Sequence, residues 1–170
     1  NLTNMVFQGT VWGPYLWNAF FGDSVCAVQL CGFAVVVFAD DLNAFRSYAQ
    51  AFPNDVVWQD LRTCQHELHR WGHANRVVFD AAKEHFCIVS PSHPEGESMR
   101  ILGVLFDPQL SMSECVRECV HEASWRLKSV LRTRRYHTDS ELLQHFKTHV
   151  LSYIEYRTPG LYHAASTVLE

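Results

Sequence analysis

At 170 residues the chain suits one domain, whose folding buries on the order of 70% of the unfolded surface. Hydrophobic content of 48% with 13% aromatics excludes a disordered chain, and a formal charge of −4 is a poor match to a generic, basic nucleic-acid binder. Six cysteines without the dense spacing of a small disulfide scaffold point to a reducing, intracellular compartment, nuclear or cytoplasmic.

The first distinctive segment is Phe7-Gln8-Gly9-Thr10-Val11-Trp12-Gly13-Pro14. Proline is tolerated in a first helical turn, and Tyr15, Leu16, Ala19 and Phe20 have helical spacing. A helix is therefore expected from Gly13, ending at Gly22-Asp23. The stretch 25–39 is apolar but too short to span a bilayer. Its Val-rich end reads as a buried strand that stops abruptly at Asp40-Asp41. Segments 33–38 and 42–48 are expected to form a hairpin with the two aspartates at its tip. Two carboxylates in succession suit either a solvated turn or an oxygen-rich cation site of the kind Mg²⁺ uses.

Pro53-Asn54-Asp55 breaks the chain. Val57, Leu61, Cys64, Leu68 and Trp71 then recur at intervals of three and four, which predicts a helix over 57–71, with Gly72 near its end. Two short strands, 77–79 and 86–89, are expected on either side of Lys83. A loop over 90–98 and a strand over 100–106 follow, and Asp107-Pro108 turns the chain. Ser113 is a reasonable N-cap for a helix with an apolar stripe of Val116, Cys119, Val120, Ala123, Leu127, Val130 and Leu131. A last helix is expected from Asp139, with Leu142, Leu143, Phe146, Val150, Leu151 and Ile154 inward, stopped by Pro159-Gly160.

Two histidine and cysteine groupings fail as zinc sites. His69 and His73 are four apart, but Arg70 stands where a zinc-protease helix needs Glu. Cys115, Cys119 and His121 lack zinc-finger spacing. The run 126–135 holds Arg126, Lys128, Arg132, Arg134 and Arg135 with no acid. It is either a solvated helix face or a surface for nucleic-acid phosphates.

Taken together, the Gln8-Gly9…Gly13-Pro14 segment, Phe38-Ala39-Asp40-Asp41, Ala82-Lys83 and Leu102-Gly103-Val104 resemble, in order and spacing, the reverse transcriptases of non-LTR (LINE-type) retrotransposons. The resemblance implies an α+β fold: a partial polymerase palm over 1–110, with an antiparallel hairpin sheet and packed helices, followed by a helical thumb-like region over 111–170. It implies that Asp40 is the main ligand for Mg²⁺, or Mn²⁺ in its place, and Asp41 a secondary one. Gln8, Gly9 and Phe38 would border the incoming deoxynucleoside triphosphate, Lys83 would serve the pyrophosphate leaving group, and Leu102-Gly103 would form the primer grip. Arg126, Lys128, Arg132 and Arg135 would meet the backbone of an RNA template and DNA primer. The family's remaining metal-binding Asp lies upstream of the Gln-Gly motif, and residues 1–7 hold no acid. The chain is thus expected to be a fragment lacking the fingers and an upstream palm segment, and inactive alone. The competing expectation is a non-catalytic palm relic that binds nucleic acid or a protein partner. Neither reading calls for a membrane.

Overall fold

The computed structural model describes residues 9–49, 51–162 and 164. The chain divides into two compact units, Asn1–Glu84 and His85–Glu170. The palm-to-thumb boundary expected at 110–111 lies inside the second unit. Among the described residues the fold is mixed α+β, with three antiparallel sheets of two strands each.

In the first unit, helix α1 (Gly13–Leu30) starts with its proline in the first turn, as expected. It does not stop at Gly22-Asp23. An interior glycine costs about 1 kcal/mol relative to alanine. Burial of Phe21 and Val28, 3% and 0% exposed, outweighs that, since each is worth about 1.5–3 kcal/mol. Phe21, Ser24 and Val28 follow at helical spacing across the expected break, and the Ser24 hydroxyl is satisfied by Phe21 O at 2.6 Å. The real stop is Gly32, whose φ of +82° suits the residue after a helix.

Strand β1 (Ala34–Phe38) pairs antiparallel with β2 (Asp41–Phe45), in the register Ala34↔Phe45 to Phe38↔Asp41. The strand is not buried on both faces. Val35 and Val37 are half-buried, whereas Ala34, Val36 and Phe38 are exposed. With two strands, only one face can be covered. Val35 and Leu42 pack on the core formed by Val28, Phe33 and Cys64.

Helix α2 (Asn54–Asn75) contains the expected stripe, with Val57 and Cys64 buried, but overruns it at both ends. Gly72 does not end it. A Cβ there would lie 2.8 Å from both Val77 O and Phe79 Cε2, so the glycine admits the returning chain. The left-handed Arg76 (φ +59°) makes the actual turn. Residues 77–79 form no strand. Val77 donates to Gly72 O at 2.8 Å, and Phe79 packs by the His69 and Trp71 rings instead. A single 3₁₀ turn (Ala81–Lys83) follows, capped by the Asp80 carboxylate. The Glu84 carboxylate then ties the chain to α2 through His69 Nε2 at 2.6 Å and through Gln65.

In the second unit, β3 (Cys87–Ile88) pairs with β4 (Glu95–Gly96), which lies within the expected loop. The expected strand over 100–106 is a hairpin, β5 (Met99–Ile101) and β6 (Val104–Phe106), bent at Leu102-Gly103. Both turn residues have positive φ, +47° and +83°, as a tight two-residue connection requires. Helix α3 (Ser113–Arg132) buries Cys115, Cys119 and Ala123. The expected stripe lies partly outward, with Val120 60% and Leu131 47% exposed. Ser113 is its first residue and not its cap. Asp107 fixes the turn that leads into the helix, accepting from Ser111 N at 2.9 Å and Met112 N at 2.8 Å.

Helix α4 (Asp139–Phe146) opens with a capping box between Thr138 and Glu141. Leu143 is 53% exposed and does not face inward as expected. A π-helical turn (Lys147–Leu151) joins α4 to α5 (Ser152–Tyr156). Pro159-Gly160 lies within α6 (Thr158–Tyr162), so it starts a short helix where a stop was expected. A Cβ on Gly160 would lie 2.6 Å from Val104 Cγ1, which places this helix directly on the core of Val104, Met112 and Cys115.

Two stability predictions follow from these contacts. Gly72→Ala gains helix propensity but drives a methyl into a backbone carbonyl. The expected net result is a loss of about 1–2 kcal/mol in urea unfolding. Burial pushes the Asp107 carboxyl up, but the Ser111 and Met112 N–H groups outweigh it and hold the group below its ordinary value of 3.8. A carboxylate shifted down stabilises the fold above 3.8 and ceases to do so as pH falls through its lowered value. Asp107→Asn should therefore cost about 1 kcal/mol near neutral pH. The gap between the two proteins should close in acid, as read by thermal melts across pH.

Candidate functional site

The two-residue turn Ala39-Asp40 joins β1 to β2, and Asp41 begins β2 opposite Phe38. Both aspartates are exposed, and Phe38 beside them is 63% exposed. Ala39 takes a left-handed φ of +56°, which an L-residue adopts only at some cost. A long-range contact holds that conformation. Trp17 in α1 donates its indole N–H to Ala39 O at 2.8 Å. Trp17 is itself stacked on the buried Phe21, with centroids 5.1 Å apart and planes 14° apart. The acidic tip is thus fixed to α1 although both carboxylates face water.

Gly9, exposed with φ +83°, precedes α1. Gln8 lies outside the described residues. Lys83 is on the 3₁₀ turn, 83% exposed, with its ammonium 3.9 Å from Asp80. Asp23, the nearest upstream acid, is exposed within α1. Among the described residues no group of three or more His, Cys, Asp or Glu side chains is placed to hold a metal ion. Two carboxylates equal the number that a Mg²⁺ site commonly takes from a protein, its other positions going to water and phosphate. They do not complete a two-metal set.

In the second unit the Leu102-Gly103 turn is held from two sides. Tyr156 OH donates to Leu102 O at 2.6 Å. Arg100 donates to Gly103 O at 3.3 Å and grips Glu118 through two bonds of 3.1 Å. The basic run divides by role. Arg126 is half-buried, donates to Glu122 at 2.9 Å and to His149 O at 3.3 Å, and covers the Tyr153 ring at 4.1 Å. That guanidinium serves the fold. Lys128, Arg132 and Arg135 are exposed.

Sequence reasoning missed Trp17, Tyr156 and Glu118, which position both turns. It also missed an open cleft of about 450 Å³ beside Trp125 and Arg126, where the His145 and His149 rings stack and His137 meets His145 edge-on. Only the four-residue spacing of His145 and His149 hinted at it. No helix among the described residues is long and apolar enough to cross a membrane. Comparison with protein-family models, with curated proteins and with solved structures finds no match.

If the indole bond holds the acidic turn, Trp17→Phe should keep the ring stack but lose about 0.5–1.5 kcal/mol locally. Amide hydrogen exchange at 39–42 should accelerate several-fold, with α2 unchanged. Equal protection in both proteins would show that the strand pairing alone sets the tip.

Proposed function

We propose that this chain is part of an RNA-directed DNA polymerase of the non-LTR retrotransposon type, with residues 1–110 belonging to a palm and 111–170 to a thumb. The observation that carries the reading is the bond from Trp17 to Ala39 O. It ties the helix that follows Gly9 and begins at Gly13-Pro14 to the turn that bears Asp40 and Asp41. The contact thus joins the helix that follows one motif to the turn inside the other. On this reading Asp40 is the main ligand for Mg²⁺ or Mn²⁺, and Asp41 supports it. The bound ion supplies charge stabilisation for nucleotidyl transfer from a deoxynucleoside triphosphate to a primer hydroxyl.

The remaining residues take supporting parts. Gly9 and Phe38 border the nucleotide, and Lys83, free in solvent apart from the distant Asp80 carboxylate, offers its charge to the leaving pyrophosphate. The Leu102-Gly103 turn approaches the primer. Lys128, Arg132 and Arg135 take template–primer phosphates with little regard to sequence. The alternative, a palm relic that binds nucleic acid or a partner without polymerising, draws on one observation: among the described residues no third acid joins the aspartate pair.

Titration with Mn²⁺ tests the metal reading. Paramagnetic broadening should centre on the hairpin tip. Asp40→Asn should weaken it roughly tenfold, and Asp41→Asn less, since a lost charge-assisted contact is worth about 1.5–3 kcal/mol. Equal broadening in all three proteins would overturn it. A longer chain that supplies the upstream carboxylate and fingers should then extend a DNA primer on RNA in Mg²⁺, and Asp40→Asn should abolish that synthesis. A folded, RNA-binding longer chain that makes no DNA would favour the relic.

A further inference from the structure

The C-terminal end of α1 and the middle of α2 each bring a thiol to one apolar cluster. Cys64 is buried, at 6% exposure, in the core with Val28 and Phe33, and Cys31 packs against that same cluster from the residue that closes α1. Val35 and Leu42 of the hairpin lie on this cluster too. All six cysteines of the chain are free thiols. Cys31 is half-buried, and the contact of its thiol to Ala27 O, at 3.5 Å, is weak and costs little to give up.

We propose that Cys31 and Cys64 form a reversible dithiol–disulfide pair, closed by a hydroperoxide, that staples α1 to α2 under the hairpin bearing Asp40 and Asp41. The inference rests on packing within the first unit and stands whether or not the aspartates bind metal.

The two thiols have different tasks. Burial pushes the Cys64 thiol up to about 11, and the charge and hydrogen bond of neighbouring Cys31 add to the shift. Cys64 therefore keeps its proton at neutral pH and is a poor first nucleophile. The more accessible Cys31 reacts first. Its thiolate sulfur attacks a peroxide oxygen, an S–O bond forms, the O–O bond breaks, and the departing hydroxide takes a proton to become water. The Cys64 sulfur then attacks the sulfenic sulfur of Cys31. The S–S bond forms, the S–O bond breaks, and the leaving hydroxide takes the Cys64 proton. Together the thiols lose two electrons and two protons, and hydrogen peroxide becomes two waters. A thiol reductant reverses the reaction.

The test uses the whole chain, treated with hydrogen peroxide, unfolded in N-ethylmaleimide and mapped by mass spectrometry without reduction. The expected product is a peptide pair joined through Cys31 and Cys64, lost after dithiothreitol. Thermal melting should rise by roughly 5–10 °C on oxidation and return on reduction, because the bond closes a long loop. In Cys64→Ser, Cys31 should persist as a sulfenic acid that dimedone traps. In Cys31→Ser, Cys64 should stay alkylatable after peroxide. Cys26, exposed on α1, is the competing thiol. A Cys26–Cys31 bond, or Cys31 driven to sulfinic acid while Cys64 stays alkylatable, would overturn the proposal even if both variants failed to fold.

Discussion

A two-stranded sheet is marginal in water by itself, and every sheet among the described residues has two strands. Each must therefore borrow its stability from a helix. The two larger hairpins do so with the same device. At β1–β2 the carbonyl of Ala39, the left-handed first turn residue, accepts from the Trp17 indole at 2.8 Å. At β5–β6 the carbonyl of Leu102, again left-handed and first in the turn, accepts from the Tyr156 hydroxyl at 2.6 Å. Neither residue is glycine, so each turn carries strain on the order of 1 kcal/mol. In both cases an aromatic donor on a helix lands on the strained residue and holds it.

That arrangement determines what the hairpins can present. With one face seated on Val28, Phe33 and Cys64, the β1–β2 hairpin leaves Val36, Phe38 and Phe45 outward, at 55%, 63% and 56% exposure. Its tip is tied to α1 although it is not buried. The β5–β6 tip is held more heavily, because Arg100 adds a bidentate grip on Glu118 to the Tyr156 contact. Rigid turns projecting into solvent place side chains accurately without the desolvation that burial would impose on carboxylates.

Local rules made much of this legible. Apolar periodicity gave α2 and α3 and a further helix from Asp139, and the aspartate pair gave a hairpin turn. The rules failed where a tertiary contact overrode a local signal. Gly22 does not break α1 because Phe21 and Val28 are buried on either side of it. Gly72 does not end α2 because its missing side chain is filled by Phe79. Val77 and Phe79 form no strand because no partner strand reaches them, and α2 takes their contacts instead. The site divides the same way. Its acids could be read off the sequence, but the residues that position them could not. Trp17 lies 22 residues from Ala39, and Tyr156 lies 54 from Leu102, distances that no periodicity spans.

The disposition of the acids gives the last step. Asp60 is taken by Arg46 and Tyr48, Glu84 by His69 and Gln65, Glu118 by Arg100, Glu122 by Arg126, and Asp107 by two backbone N–H groups. Each of these carboxylates is accounted for by what it does for the fold. Asp40 and Asp41 belong with the exposed acids that take no such part, as Asp23, Glu97 and Glu155 also do. Among the described residues neither is in an ion pair. Nothing in the packing of the hairpin requires charge at these positions, since the bond that fixes the turn is made by the Ala39 backbone. On the proposed reading, a divalent cation is what the two charges would serve.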